Sequence, residues 1–358
     1  MVQRMPVAER SRPDGGAAAG RPHRAPRPRA PFGVVLAASV ALLGLAVLAS
    51  LAIGSRAVPF DVVWSAFSAP VDGDTDQLVV RELRLPRAII GVLAGAAFGA
   101  VASVLQGATR NPLADPGLLG LNAGASLAVV AAITFLGVST PLGFIWFAFA
   151  GAAAAAAVVF AIGSAGGGAT PARLALTGAA VMAATTPLIT LVLIRDLATL
   201  NQYRFWSVGS LAGRGLETAA ALWPFLVAGL VLAAWLAPRL NLMALGDDVA
   251  RGLGVRLGVT RLVTAVAVIV LAGTATSLAG PIALLGLAVA HAAGASAGGD
   301  YRRRIALAAV LGATVLVTAD VIGRVVAPPA ELEAGIVAAV VGAPVLIALV
   351  RRRGGAAT

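Results

Sequence analysis

Long apolar runs alternate along the chain with short clusters of arginine, aspartate, proline and glycine. The first run extends from Val34 to Ile53, and others fall at about 88–106, 117–136, 142–164, 174–194, 218–237, 262–279, 281–293, 305–322 and 334–350. Most approach the ~20 residues that an α-helix needs to cross about 30 Å of hydrocarbon. The pattern predicts an all-α polytopic membrane protein of about ten transmembrane helices. Segment 281–293 holds only 13 residues before Gly294, so that span is predicted to be broken, covered by neighbours or extended beyond its apolar part.

Residues 1–31 differ from the rest. Seven arginines stand there among proline, glycine and alanine with almost nothing to bury, which reads as a disordered cytoplasmic tail. A secretory signal also places basic residues before an apolar run, but 34–53 is long enough to span and reads as a retained first helix. Residues 32–358 then form one transmembrane domain.

Small residues carry a second pattern. Gly91, Gly95, Gly99, Ser103 and Gly107 recur every four positions, giving the second span a face almost without side chains, against which another helix can pack closely. The stretch that follows, QGATRNPLADPGLLGLNAGAS at 106–126, concentrates turn residues. Asn111-Pro112 ends the second span, and Asp115-Pro116 reads as an N-cap followed by proline in the first helical position of the third.

Composition narrows the function classes. Apolar residues make up 59% of the 358 and charged ones 12%, against roughly 25% charged in soluble domains. Cysteine is absent and only His23 and His291 are present, so a thiolate cluster or multi-histidine metal site is excluded. All 27 basic residues are arginine, and a P-loop without lysine is not an ordinary ATPase, so any ATP must be hydrolysed by another chain. The +11 charge does not point to nucleic acid, because its distribution follows the membrane. With the amino terminus inside, 19 arginines fall on inner segments and eight on outer ones, which predicts both termini in the cytoplasm. The central spans lack Asp, Glu, His, Lys and Arg, which disfavours an ion-coupled secondary transporter, and no catalytic motif sits at a plausible helix end. No cofactor is called for, and a passage driven from elsewhere is the class that remains; a structural scaffold would need no ATPase partner.

ALGDDVARGLGVRLG at 244–258 predicts a short helix capped by Asp247 or Asp248, with Val249 and Leu253 on one face and Gly254 closing it. On the inner side such a helix suits a partner's groove, or lies on the membrane surface.

Taken in order, RLPR at 84–87, LQGATRNPLADPGLLG at 105–120, FWSVGSL at 205–211, ALGDDVARGLGVRLG at 244–258, AGPIALLGLAVAH at 279–291 and the AD…R…PAEL..GIV…GAP run through 319–344 resemble the FecCD-type permeases. These are membrane subunits of ABC importers for iron-siderophores, haem and cobalamin, and the likeness covers about 34–353. It implies the type II importer permease fold, a homodimer or paralogous heterodimer of ten-helix subunits, two cytoplasmic ATPase subunits and an extracytoplasmic substrate-binding protein, here a lipoprotein. Ferric siderophore is the commonest cargo of that resemblance, with cobalamin or haem the alternative. Gly246, Asp247, Asp248, Val249, Ala250, Arg251, Leu253 and Gly254 match the helix that couples such permeases to their ATPase. Arg84, Arg87 and Arg324 match arginines presented to glutamates of the binding protein, although snorkelling to the interface would also suit Arg84 and Arg87. Thr170, Pro171, Ala172 and Arg173 match the inner gate, and the fifth and tenth spans would line the path. One departure stands out: Ala290 precedes His291 where the family has proline, and Gly294 stands where it has arginine.

Overall fold

The computed structural model describes residues 30–117, 119–165, 171–328 and 330–354. The tail expected over 1–31 lies almost wholly outside them. Among the described residues all regular structure is helical. In chain order the helices are α1 (Phe32–Ala52), α2 (Phe60–Ser68), α3 (Thr75–Leu78), which runs through a π-helical turn (Val79–Arg84) into α4 (Leu85–Thr109), α5 (Leu121–Leu136), α6 (Pro141–Ser164), α7 (Pro171–Arg195), α8 (Leu197–Ser207), α9 (Leu216–Met243), α10 (Asp247–Gly252), α11 (Leu257–Ala279), α12 (Leu285–Ala297), α13 (Tyr301–Val326) and α14 (Ala334–Gly354). Seven are long and apolar enough to cross a membrane, namely α1, the α3–α4 rod, α6, α7, α9, α11 and α13. The apolar parts of α5, α12 and α14 are shorter.

α4 is the centre of the bundle, and the packing follows from its small residues. A Cβ added at Gly95 would sit 2.6 Å from Ala313 Cα, one at Gly99 2.6 Å from Ala308 C, and one at Gly91 3.1 Å from Val317 Cγ2. Gly107 admits the Tyr301 ring in the same way, 2.6 Å from its Cε1. α13 is therefore pressed along the bare face of α4 and answers with its own Gly312, whose added Cβ would lie 3.0 Å from Gly95 C.

The break foreseen near 281–293 has a definite position. α11 stops at Ala279, residues 280–284 form no regular structure, and α12 starts only at Leu285 after Leu284 adopts φ 66°. Ile282 in this stretch is 3% exposed, so irregular backbone is buried in protein, as membrane depth requires. Gly280, at φ 78°, lets the Trp206 carbonyl and Gly209 approach, and Gly209 O accepts a bond from Gly335 N at 2.9 Å. The ends of α8 and α11 and the start of α14 meet at this glycine-lined point.

The turn between α4 and α5 is built differently from the expectation. Arg110, at φ 51°, ends α4, and Gly120, at φ 76°, occupies the N-cap of α5 without a side-chain bond. Asp115 is buried five residues earlier and its Oδ1 accepts from Gly117 N at 2.8 Å, while Asn111 Oδ1 accepts from Leu113 N at 3.0 Å. Both are turn-forming side chains bonded two residues onward, and Asp115-Pro116 is not a helix cap.

Candidate functional site

Polar side-chain contacts collect at the two ends of the bundle. The near end holds the start of α1, the end of α4 and the start of α13. The far end holds the end of α1, the start of α4 and the end of α13.

At the near end, α10 projects between α9 and α11. Its N-cap is Gly246 at φ 115°, a conformation open to glycine, so neither aspartate caps it as the sequence suggested. Its carboxy-terminal end is a Schellman motif: Val255 N bonds Ala250 O at 2.9 Å, Gly254 N bonds Arg251 O at 3.0 Å, and Gly254 takes φ 84°. Ala250 is fully buried beneath, whereas Val249 and Leu253 remain 48% and 58% exposed. α10 thus presents an apolar pair outward on a firmly closed turn.

Asp247 anchors this helix. Its carboxylate accepts from Arg261 Nη2 of α11 at 2.7 Å and pairs through its other oxygen with Arg110, the residue that ends α4. Asp248, by contrast, is 94% exposed and among the described residues pairs with Arg251 on its own helix at 2.5 Å. The two unusual stretches of the sequence are therefore one device, since the clamp Arg110–Asp247–Arg261 ties α10 to the α4–α5 turn and to α11. Nearby, Asn241 Nδ2 donates to Asp300 at 2.8 Å and holds that carboxyl below its ordinary value, while Arg304 reaches Gln106 on α4 and lies 3.2 Å from where a side chain at Gly294 would begin. Gly294, the departure noted in the sequence, is thus overlain by an arginine from α13.

At the far end the three arginines matched to docking make contacts inside the protein. Arg84 and Arg324 are 6% and 3% exposed. Arg84 donates to Leu51 O at 2.8 Å and to Arg56 O, and Arg324 donates to Ser50 O at 2.9 Å and Ser50 Oγ at 2.6 Å. Their guanidinium groups close the open carbonyls at the end of α1, where backbone acceptors lack helical partners. Arg87 bonds Asp320 at 2.8 Å and Glu331 at 2.6 Å, and Asp320 pairs again with Arg324 at 3.1 Å. Snorkelling does not describe them either, because they face inward and tie α1, α4, α13 and the segment before α14 together. Arg56 is turned to solvent here, with its side chain 72% exposed beside Asp76.

Of the inner-gate residues, Thr170 lies outside the described residues. Pro171 opens α7, Ala172 is exposed, and Arg173 Nη1 donates to Ala165 O at 2.9 Å, bridging from α7 to the end of α6. α7 is little covered: 11% of its most apolar window is buried, against 78% for the α4 rod. Its exposed face carries Leu176, Met182, Thr186, Leu188 and Thr190, all neutral. Among the described residues no cluster of three His, Cys, Asp or Glu side chains could hold a metal ion.

Sequence comparison identifies one family, and a solved structure shares the fold. The profile of the FecCD transport family matches residues 42–352. The ferric enterobactin transport system permease protein FepD of Escherichia coli is 43% identical over 319 residues, covering 88% of this chain and 95% of FepD. The Bacillus subtilis protein YfiZ, described as a "probable siderophore transport system permease protein", is 38% identical over 320 residues, covering 89% of this chain and 96% of YfiZ. Among solved structures, one described as an inward-facing metal-chelate type ABC transporter superposes with a TM-score of 0.77 at 25% identity, covering 89% of this chain and 99% of that one. With the small-residue core of α4, the α4–α5 turn and the clamped α10 all inside the matched region, the chain belongs to the FecCD transport family.

Proposed function

We propose that this chain is the membrane permease subunit of an ATP-driven importer of ferric siderophores, set in a bacterial plasma membrane as ten spans with both termini in the cytoplasm. The ten are the seven long apolar helices and the three shorter ones, and the arginine excess of the near-end segments puts that end inside. No covalent chemistry takes place in this chain, and ATP is hydrolysed by separate ATPase subunits.

The observation that carries the reading is the clamped α10. Its exposed Val249 and Leu253 offer a partner an apolar contact, while Asp247 makes any displacement of the helix felt by α4 and α11. Closure of an ATPase dimer beneath α10 would thus reach the centre of the bundle through Arg110 and the α4–α5 turn. At the far end a substrate-binding lipoprotein would meet the rim around Arg56, since Arg84 and Arg324 are engaged inside. The thinly covered α7 would face a second permease subunit across a path lined by neutral side chains, with Ala172 and Arg173 at its inner mouth. Such walls let a bulky chelate pass without gripping it, so selection belongs to the binding protein.

The test is uptake of radiolabelled iron, offered as a panel of ferric siderophores with haem and labelled cobalamin alongside, in cells with the gene deleted or restored. Loss of uptake of one ferric chelate supports the reading. Intact iron uptake with lost cobalamin or haem uptake would transfer the same machine to that cargo.

A further inference from the structure

Beside α10, at the near end, an open groove of about 570 Å³ lies between the end of α9 and the start of α11. Its walls are Trp235, Pro238 and Leu242 on one side and Leu253, Val255 and Val259 on the other, and its charged groups are Arg239 and Arg256. No acid lines it. The aspartates of the adjoining helix are already engaged, Asp247 by Arg110 and Arg261 and Asp248 by Arg251. Arg239 lies 3.4 Å from the centre of the Trp235 ring and donates to the Trp235 carbonyl at 2.6 Å, which fixes its guanidinium over the groove and leaves its remaining donors for a ligand. Arg256 is exposed and pairs with no carboxylate among the described residues.

The groove opens onto apolar surface. Along α9, Trp223, Val227, Val231 and Trp235 recur every four residues at 53%, 46%, 61% and 38% exposure. Along α11, Val259, Leu262 and Val266 are 48%, 66% and 42% exposed. Both stripes run from the groove toward mid-bundle, so a molecule that fits has long apolar chains and an anionic head.

From this charge and apolar complementarity, we propose that the groove binds an anionic phospholipid of the cytoplasmic leaflet, with its phosphate held by Arg239 and Arg256 and its acyl chains along α9 and α11. Guanidinium pairs bidentately with phosphate oxygens, tryptophan sits favourably at the headgroup level, and basic pockets at this depth suit anionic heads. The site goes beyond transport itself and rests on the near end being cytoplasmic. Because Leu253 is shared between the groove wall and the exposed face of α10, a bound lipid would also brace the coupling helix.

The test uses the full permease–ATPase complex, stripped of lipid and returned to vesicles of phosphatidylcholine with one fifth phosphatidylglycerol, followed by native mass spectrometry of retained lipid. The parent should keep phosphatidylglycerol over phosphatidylcholine. Arg239→Gln should lower that preference about fivefold and R239Q/R256Q further, with arginine-to-lysine variants between, since each basic group at an anionic surface contributes on this scale. Brominated phosphatidylglycerol should quench Trp235 fluorescence, read as the difference from Trp235→Phe, which keeps the assay informative if a glutamine variant folds poorly. Equal phosphatidylglycerol retention in parent and double variant, or no quenching of Trp235, overturns the proposal. So does displacement of the lipid by inorganic phosphate, which would make the site one for a soluble anion, and so does loss of ATPase association with lipid retention unchanged, which would give the groove to the ATPase.

Discussion

Replacing Gly95 by alanine tests the core of the fold at one of its tightest contacts. The new methyl carbon would start 2.6 Å from Ala313 Cα and press on the Gly312 carbonyl as well, both backbone atoms of α13. Carbon pairs settle at about 3.5–4.0 Å, so α13 must retreat by about 1 Å. Forcing a methyl into a packed core costs about 1–3 kcal/mol, and alanine's better helix propensity returns about 1 kcal/mol, for a net loss of about 1–2 kcal/mol. Gly44→Ala is the control. It gains the same propensity on α1, and nothing lies within 4 Å of its added carbon. Thermal unfolding of purified protein in detergent, followed by tryptophan fluorescence, should therefore place Gly95→Ala several degrees below the parent and Gly44→Ala at or slightly above it. Gly99→Ala, one turn away against Ala308, should cost less when added to Gly95→Ala than alone, because the helices have already parted. A Gly95→Ala protein as stable as Gly44→Ala would refute the close α4–α13 contact.

Other expectations follow from single contacts. Asp247→Asn should leave Arg110 and Arg261 repelling each other and loosen α10 by about 1 kcal/mol, lowering substrate moved per ATP about fivefold, whereas Asp248→Asn, 94% exposed, should cost much less; ATPase and uptake measured together in proteoliposomes decide, and the reverse order of effects would rule out the clamp. Asp320→Asn should destabilise the bundle by about 3 kcal/mol, since it leaves Arg87 and Arg324 in a buried site short of an anion, and an unchanged melting temperature would contradict the network. Charge reversal at Arg56 should weaken affinity for the binding protein in a salt-dependent way while Arg84→Gln acts on stability instead; an effect of Arg84→Gln on affinity alone would restore it as a docking residue. Gly254→Ala should strain the Schellman turn at φ 84° by about 1 kcal/mol and mobilise α10, read as faster amide exchange over 247–256.

The apolar runs were legible because length and hydropathy in a bilayer leave few alternatives: seven of the ten overlie helices long and apolar enough to cross a membrane, and 117–136, 281–293 and 334–350 overlie shorter ones. Run 281–293 was visible as too short, but its break at Leu284 was not, because a leucine at positive φ carries no compositional mark. α2, α8 and the π-turn before α4 were missed, being short or only partly apolar and set against the ends of longer helices. The four-residue glycine repeat announced a bare face without its partner, although Ala308 and Gly312 share the same spacing on α13 and could have been matched to it. At the site, the sequence identified both the α4–α5 turn and α10, yet the contact joining them spans 137 residues and rests on Arg110. Arg84 and Arg324 were read as outward-facing because topology gives the end of a helix at which a residue lies and not the direction its side chain takes. Only the open carbonyls at the end of α1, which bond them, could have indicated otherwise.

The most direct test of the central claim is transport by the purified permease, reconstituted in proteoliposomes with its ATPase subunits and loaded binding protein. The account predicts uptake of a ferric siderophore that requires ATP on the near-end side, stops when the ATPase is omitted and is indifferent to a protonophore. Uptake that continues without the ATPase and collapses when the ion gradient is dissipated would contradict it.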